Sequence, residues 1–572
     1  MRQVKYIFIS GGVLSGLGKG IASASIGFLL KSRGIKVTPV KCENYLNIDS
    51  GLINPIEHGD PFLCEDGTES DMDLGTYERF LDQNMGWENF VTMGQIYRQV
   101  IEDERNYKYK GEDVEAIPHV VNEIIRRIKL AGEKTKADIV LVELGGTTGE
   151  YQNVLYYEAA REMKLEDLRN DHGHKVIHIH VSYLPIPKHL GEPKTKPTQL
   201  SIRTLMGMGI QPDFLIARCE KEIDARRKYL LSLTCNLRDE NIVSSPDVSS
   251  VYQVPLGFKK QNLDIRILKA LNLQTGKSSL NEWNKLVNSI SSPKKHQLKI
   301  AIVGKYFKTG REFMLGDSYA ALFEALKHAA WGQAFGLNLK WISAEEVEEK
   351  DAKKLLSGVD GIVVPIGWGK RGAEGKISAV HYARINKVPF LGLCYGMQLA
   401  CVEFARYELG LKDANTSEND PTTSNPIIHD ILERAELMTI KSRGVAMRLG
   451  GWDFKVKPGT ILDHIYSKHN LYINSKDRVG SVRHRHRFEF NNDYIQDLEK
   501  KGMVISAMSV KGNFVDWVEL PQSIHPFFIG TQGHPEYSSR PLKPHPVFLE
   551  FLKACYNNQL PCHSRETGKL FI

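Results

Sequence analysis

The cysteines are few and scattered, at Cys42, Cys64, Cys219, Cys235, Cys394, Cys401, Cys555 and Cys562, with no CxxC pair among them. That excludes a zinc ribbon or a dithiol redox motif and lends no support to a disulfide framework. No apolar run approaches the ~18 residues of a membrane span. The opening "MRQVKYIFISGG" enters a strand-like stretch without a basic-then-apolar leader. Charge of one sign is also lacking: 75 Lys+Arg against 68 Asp+Glu leave +7 over 572 residues. This favours local anionic ligands over a surface that coats nucleic acid. Internal repeats and low-complexity tracts are absent. The expectation is a soluble, cytoplasmic protein with no membrane or nucleic-acid partner, too long for one core.

What is present is one grammar used twice: apolar strand, glycine-rich turn, amphipathic helix. The first region contains "YIFISGG", "ADIVLVELGG" and "KVIHIHVSYLP"; the second contains "LKIAIVGKY", "VDGIVVPIGWG", "VPFLGLCYG" and "FFIGTQGHPE". Short β-branched runs alternating with helical segments predict α/β architecture with two doubly wound parallel sheets. We place the first domain at 1–271, a polar linker with a short helix around Trp283 at 272–297, the second domain at 298–560, and a tail at 561–572.

"SGGVLSGLGKGIAS" (10–23) leaves a strand and opens a helix. Closely spaced glycines let backbone N–H groups wrap phosphate oxygens, Lys19 adds a point charge, and the helix N-terminus adds its dipole. Gly20 stands where the strict GxxxxGK[ST] pattern has a hydroxyl residue. Glu143 ends the strand of "VELGG", where a carboxylate can hold magnesium near phosphate. In the acidic "EDGTESDMDLGTYERF" (65–80), Asp71 and Asp73 share a face, while Glu65 and Glu69 read as solvated. "KTKPTQ" (194–199) taken alone reads as a solvated loop.

In the second region, "FLGLCYGMQ" (390–398) places Cys394 as G-x-C-x-G between strand and helix. That spacing makes a sharp elbow exposing a nucleophile, with the Tyr395 N–H available to an oxyanion. "GTQGHPEY" (530–537) offers His534 as base and Glu536 as the carboxylate orienting it. Cys401 reads as core. In "VRHRHRF" (482–488) the arginines argue against a metal at His484 and His486 and for a strand that binds anions or carboxylates.

Together, "GGVLSGLGKGI", "EDGTESDMDLGTYERF", "VELGGTTGE", "GEPKTKPTQ", "GLCYGMQ", "MRLG", "RHRHRFE" and "HPEY" resemble the CTP synthase family over roughly residues 2–550. The resemblance implies a P-loop-like synthetase domain followed by a class I glutamine amidotransferase domain. It implies ATP-dependent phosphorylation of UTP at O4 and displacement of that phosphate by ammonia from glutamine, within pyrimidine nucleotide synthesis. ATP would bind Ser15, Gly16, Leu17, Gly18, Lys19, Gly20, Ile21, Lys41, Asp73, Asp247 and Val248, with Mg2+ on Asp73 and Glu143. UTP, or CTP as feedback inhibitor, would contact Ser15, Glu150, Tyr151, Gln152, Lys194, Thr195, Lys196, Pro197, Thr198 and Gln199. Glutamine would meet Gly367, Tyr395, Gly396, Met397, Gln398, Glu418 and Arg487, next to the triad Cys394, His534 and Glu536. His58 falls near the family's ammonia passage. GTP is implied as activator, a homotetramer as the assembly, and filaments of tetramers as a further form.

Departures from the family pattern are Glu150 and Gln152 in "GEYQ", Leu230 where a lysine is expected (Lys228 is the nearby substitute), Pro61, and "GVAMRLG" (444–450). "VVPIGWGKRGAEG" (363–375) has Ile366 where the family writes glycine. By the resemblance this loop is the second wall of the oxyanion hole, and Ile366 is harmless there unless its position requires φ > 0. The rival readings are a corrinoid-amidating ligase of the same layout and a non-catalytic scaffold.

Overall fold

The computed structural model describes residues 3–12, 14–53, 59–170, 174–274, 276–309, 313–314, 318–431, 439–440 and 446–559. The chain forms two compact units: Met1–Ser50 with Asp73–Ile290, and Gly51–Met72 with Ser291–Ile572. Residues 51–72, placed by the sequence reading in the first domain, thus cluster with the second. The helix around Trp283 is Asn281–Ser291, and it is anchored rather than free. Its buried indole packs on Phe28, Phe80 and Tyr252, and its N–H donates to the Tyr252 carbonyl at 2.8 Å.

The first unit is built on strands Lys5–Gly12 (β1), Val37–Glu43 (β2), Phe90–Thr92 (β3), Ile139–Leu144 (β4), Val176–Tyr183 (β5), Phe214–Cys219 (β6) and Ile242–Pro246 (β7). They lie in the order β3-β2-β4-β1-β5-β6-β7, every pair parallel. Runs such as "IVLVEL" are buried along their length because helices cover both faces. The chain leaves β1 through helix α1 (Lys19–Lys31) to β2 on one side and later returns to β5 on the other. Such a reversal opens a crevice at the carboxyl ends of the strands, where ligands of open α/β sheets bind.

The second unit contains Gln297–Gly304 (β8), Gly336–Ser343 (β9), Gly361–Val364 (β10), Phe390–Leu393 (β11), Ala446–Val456 (β12), Val479–His486 (β13), Val504–Ser509 (β14), Val515–Leu520 (β15) and Phe528–Thr531 (β16). The order is β9-β8-β10-β11-β16-β15-β14-β12, with β13 also paired to β12. The sheet is parallel from β9 to β16 and antiparallel beyond. The antiparallel part follows from short connections such as 510–514, which permit hairpins but no crossover. Among the described residues, no helix is long and apolar enough to cross a membrane.

Candidate active sites

In the first unit, polar residues collect where the parallel strands end. Gly16 and Gly18 adopt φ of 72° and 82°, the left-handed region glycine tolerates, which folds the loop back onto the start of α1. Leu17 is buried and Ile21 packs on the same core, so apolar side chains pin the loop from inside, while Ser15 and Gly16 stay exposed. Lys19 crosses under the loop and donates to the Gly146 carbonyl at 2.6 Å. Burial and the neighbouring Lys41 push its pKa down.

Lys41 and Glu143 face each other on adjacent strands, in register between β2 and β4. The Lys41 ammonium bonds Glu143 at 2.9 Å, Glu43 at 3.2 Å, and Asp73 at the start of helix α2 (Met72–Leu81). The Tyr77 hydroxyl donates to the other Glu143 oxygen. Burial lifts the Glu143 pKa, against the pull of Lys41. The lack of a hydroxyl residue after Lys19 now has a reason. A Cβ on Gly20 would come 2.1 Å from Asp73 Oδ1, so the carboxylate fills that space.

The expected pyrimidine-nucleotide residues divide. Thr198 is fully buried and accepts from Ser182 at 2.9 Å, tying helix α3 (Lys196–Gly207) to the end of β5. Thr195 is buried and accepts from Gln199 at 3.0 Å, Pro197 opens the helix, and Lys196 is exposed. Lys194 pairs with Glu192 at 2.6 Å. Glu150 is engaged by the Thr147 N–H and hydroxyl and by Asn44, at 2.7, 2.6 and 3.1 Å. Tyr151 is 97% exposed and Gln152 is exposed. Leu230 is exposed on the helix Ala225–Cys235. Asp247 follows β7 and pairs with Arg218 at 2.8 Å, beside half-exposed Val248. Arg218 itself was missed by sequence reasoning. It ends β6 close to Gly18, a position its type alone does not reveal.

In the second unit, three neighbouring strand ends converge: the glycine loop after β10, Cys394 after β11, and the 532–536 segment after β16. Cys394 precedes helix α4 (Tyr395–Glu408) with φ 51° and ψ −104°, a strained non-glycine elbow. The elbow is held by the Cys394 N–H donating to the Thr531 carbonyl at 2.7 Å. It also needs Gly396, where a Cβ would fall 1.9 Å from the Val364 carbonyl oxygen. His534 Nδ1 meets Glu536 Oε1 at 2.7 Å in a fully buried setting. Burial opposes charge on this histidine, but Glu536 and Cys394 outweigh it and push the pKa up to about 10. Ile366 and Gly367 both lie outside the positive-φ region. Ile366 is instead an apolar core residue, and Gly367 is small because a Cβ there would strike the Lys305 stem at 2.6 Å.

Glu418 and Arg487 form an ion pair at 2.9 Å, with the Arg487 guanidinium over the Trp368 ring. Gln398 donates to the Phe488 carbonyl at 3.0 Å and to Gln532 at 3.2 Å, and Gln532 donates to the Cys394 sulfur at 3.6 Å. Gln532 lay inside a quoted motif without drawing notice; Met397 is core, leaving only its backbone for a ligand. Strand alternation explains "RHRHR". His484 and His486 bond each other at 3.0 Å, and burial and Arg448 push both well below the usual histidine range. Arg483 pairs with Glu65 at 2.9 Å, and Arg485 with Glu69 at 2.8 Å and Asp60 at 3.3 Å. The reading of Glu69 as solvated is therefore corrected: it is 2% exposed and neutralised by Arg485. Arg448 is fully buried against Asp516 at 2.8 Å. His58 and residues 444–445 lie outside the described residues.

Residues 5–273 match the family model for the CTP synthase N-terminus, and residues 314–554 the model for glutamine amidotransferase class-I. The two matches define a class: a ligase whose synthetase domain is joined to its own glutamine amidotransferase. The chain is 44% identical over 555 residues to a CTP synthase of Caldanaerobacter subterraneus subsp. tengcongensis, covering 97% of this chain and 99% of that one. It is 43% identical over 559 residues to a CTP synthase of Staphylococcus aureus, covering 97% and 99% respectively. Among solved structures, the Trypanosoma brucei CTPS glutaminase domain with bound acivicin is 32% identical, with TM-score 0.40, covering 46% of this chain and 96% of that one. The chain belongs to the CTP synthase family.

Proposed function

We propose that this enzyme aminates UTP to CTP, using ATP to phosphorylate O4 of UTP and ammonia from glutamine to displace the phosphate. The observation that carries the reading is Lys41 held between Asp73 and Glu143, close to the Lys19 loop. Phosphoryl transfer needs electrostatic clamping more than covalent help, and two buried lysines provide it. Asp73 and Glu143 are hard oxygen donors converging on one cation, so the site favours positive charge and fits Mg2+. Bound there with ATP, Mg2+ would neutralise phosphate charge. Among the described residues no cluster of three metal-ligating side chains occurs, so phosphate and water would complete its shell. Asp247 and Val248 border the adenine, and Glu150 to Gln152 with Lys194 to Gln199 take the pyrimidine nucleotide.

In the second unit the Cys394 thiolate attacks the glutamine amide carbon. His534 gives its proton to the departing ammonia, and Glu536 keeps the imidazole oriented. The N–H groups of Gly367 and Tyr395 receive the oxyanion. Glu418 takes the substrate ammonium, Arg487 its carboxylate, and Gln398 and Gln532 line the thiol. Ammonia released internally stays unprotonated and nucleophilic. The reading extends to GTP as activator, CTP as feedback inhibitor, a cytoplasmic homotetramer, and filaments built from it.

The test is purified enzyme with UTP, ATP and magnesium, and with glutamine or ammonium salt, with and without GTP. CTP should form from either nitrogen source. No CTP from either, with corrinoid amidation instead, would contradict the reading.

A further inference from the structure

Two buried lysines of the second unit have no part in the chemistry above. Lys376, on the helix Ala373–Ile385, is fully buried, and its Nζ donates to the carbonyls of Pro365 at 2.7 Å and Ile366 at 3.2 Å. Lys305, 3% exposed, donates to the carbonyls of Trp368 at 2.7 Å and of Gly369. The Tyr319 hydroxyl adds a second donor to the Ile366 carbonyl at 3.3 Å, and the Tyr306 hydroxyl accepts the Trp368 N–H at 3.1 Å. Five successive peptide groups of the glycine loop are therefore held by side chains.

Burying an amine is costly, and a methionine of similar length would fill the same space without that cost. Burial and Lys305 push Lys376 well below the usual lysine range. A neutral amine retains two N–H donors, the number the two carbonyls use. What the amine adds over an apolar chain is control of carbonyl direction.

In a planar trans peptide, the C=O of one residue and the N–H of the next point in opposite directions. Anchoring the Ile366 carbonyl thus fixes where the Gly367 N–H points. Gly367 lies beside the elbow, since a Cβ on it would come 3.2 Å from the Tyr395 ring. If released, a peptide next to glycine is free to turn over and present its carbonyl, a repulsive group, to a developing oxyanion. We propose that Lys376, with Tyr319 and Lys305, is a positioning residue that sets the 366–367 peptide so that the Gly367 N–H completes the oxyanion hole opposite Tyr395. This rests on the reading of Cys394 as the nucleophile.

The test is Lys376→Met in the full enzyme. For glutamine-dependent CTP formation, kcat should fall roughly tenfold to a hundredfold with KM for glutamine within about twofold, and ammonia-dependent formation should be unchanged. Affinity for a glutamine analogue bearing a γ-aldehyde should fall by the same factor as kcat, because its adduct with the thiol places an oxygen in the hole. A kcat within about threefold of the parent, or a loss confined to KM, overturns the proposal. Should Lys376→Met also lose ammonia-dependent activity, Tyr319→Phe decides: a several-fold fall in kcat at constant KM supports the clamp, and an unchanged kcat overturns it. Glutamine-dependent CTP formation by Cys394→Ala would overturn the thiol reading itself, and the inference with it.

Discussion

In the first unit, the reactive groups reach the strand ends as opposed charges. Lys41 meets Asp73, Glu43 and Glu143, and Asp73 keeps a third of its side chain open to solvent. In the second unit the corresponding strand ends are sealed. Cys394, His534, Gln532 and Lys376 are buried, and Cys394, the proposed nucleophile, sits in a strained backbone. The contrast fits the chemistry proposed for each site. A phosphate clamp must admit a highly charged ligand and exchange ion pairs for it, so its side chains neutralise one another until the ligand arrives. A thiol site works through preformed dipoles, and water exclusion strengthens them.

The largest effect that would test this contrast is on the clamp. Lys19→Ala should lower CTP formation by roughly a thousandfold with either nitrogen source, because in the proposed reaction phosphoryl transfer precedes both. Measured with saturating ammonium, activity close to the parent's would remove Lys19 from the clamp.

A smaller effect should mark the sealed site. Against the opposing effect of burial, Glu536 and Cys394 push the His534 pKa up from the usual histidine range to about 10. Protonation of the folded form therefore contributes stability that is complete below about pH 6.5 and fades as pH rises through about 10. Glu536→Gln removes the leading cause of that rise. The variant should show a shallower loss of thermal stability over this window, and glutamine turnover lower by roughly a hundredfold. Parallel melting curves for parent and variant would contradict the assignment.

Ile366→Gly should do least to the chemistry. Glutamine turnover should stay within about twofold, since neither Ile366 nor Gly367 has a positive φ. The lost core side chain should instead cost about 2–5 kcal/mol of stability, read by denaturant unfolding. A large gain in turnover would show a hole that isoleucine had compromised.

Much of both sites was legible because the chemistry is local in sequence. The loop holding Lys19, the elbow at Cys394 and the His534–Glu536 pair each occupy a few consecutive residues. What escaped depends on distant partners. Glu69 reads as a solvated acid until Arg485, 416 positions away, is brought to it. Lys305 and Lys376 drew no notice in the sequence, since a lysine's type gives no sign that it will be buried against backbone carbonyls. Gln532 was hidden in a glycine-rich loop where an amide has many bland roles. The clustering of 51–72 with the second unit left no compositional mark at all.

The central claim is that the thiol site supplies nitrogen while the clamp carries out the amination, each with its own side chains. Cys394→Ala, assayed for CTP with glutamine and with ammonium side by side, tests it most directly. The account predicts that glutamine-dependent formation is abolished and ammonia-dependent formation stays near the parent value. Loss of both in a folded protein, or survival of the glutamine reaction, would contradict it.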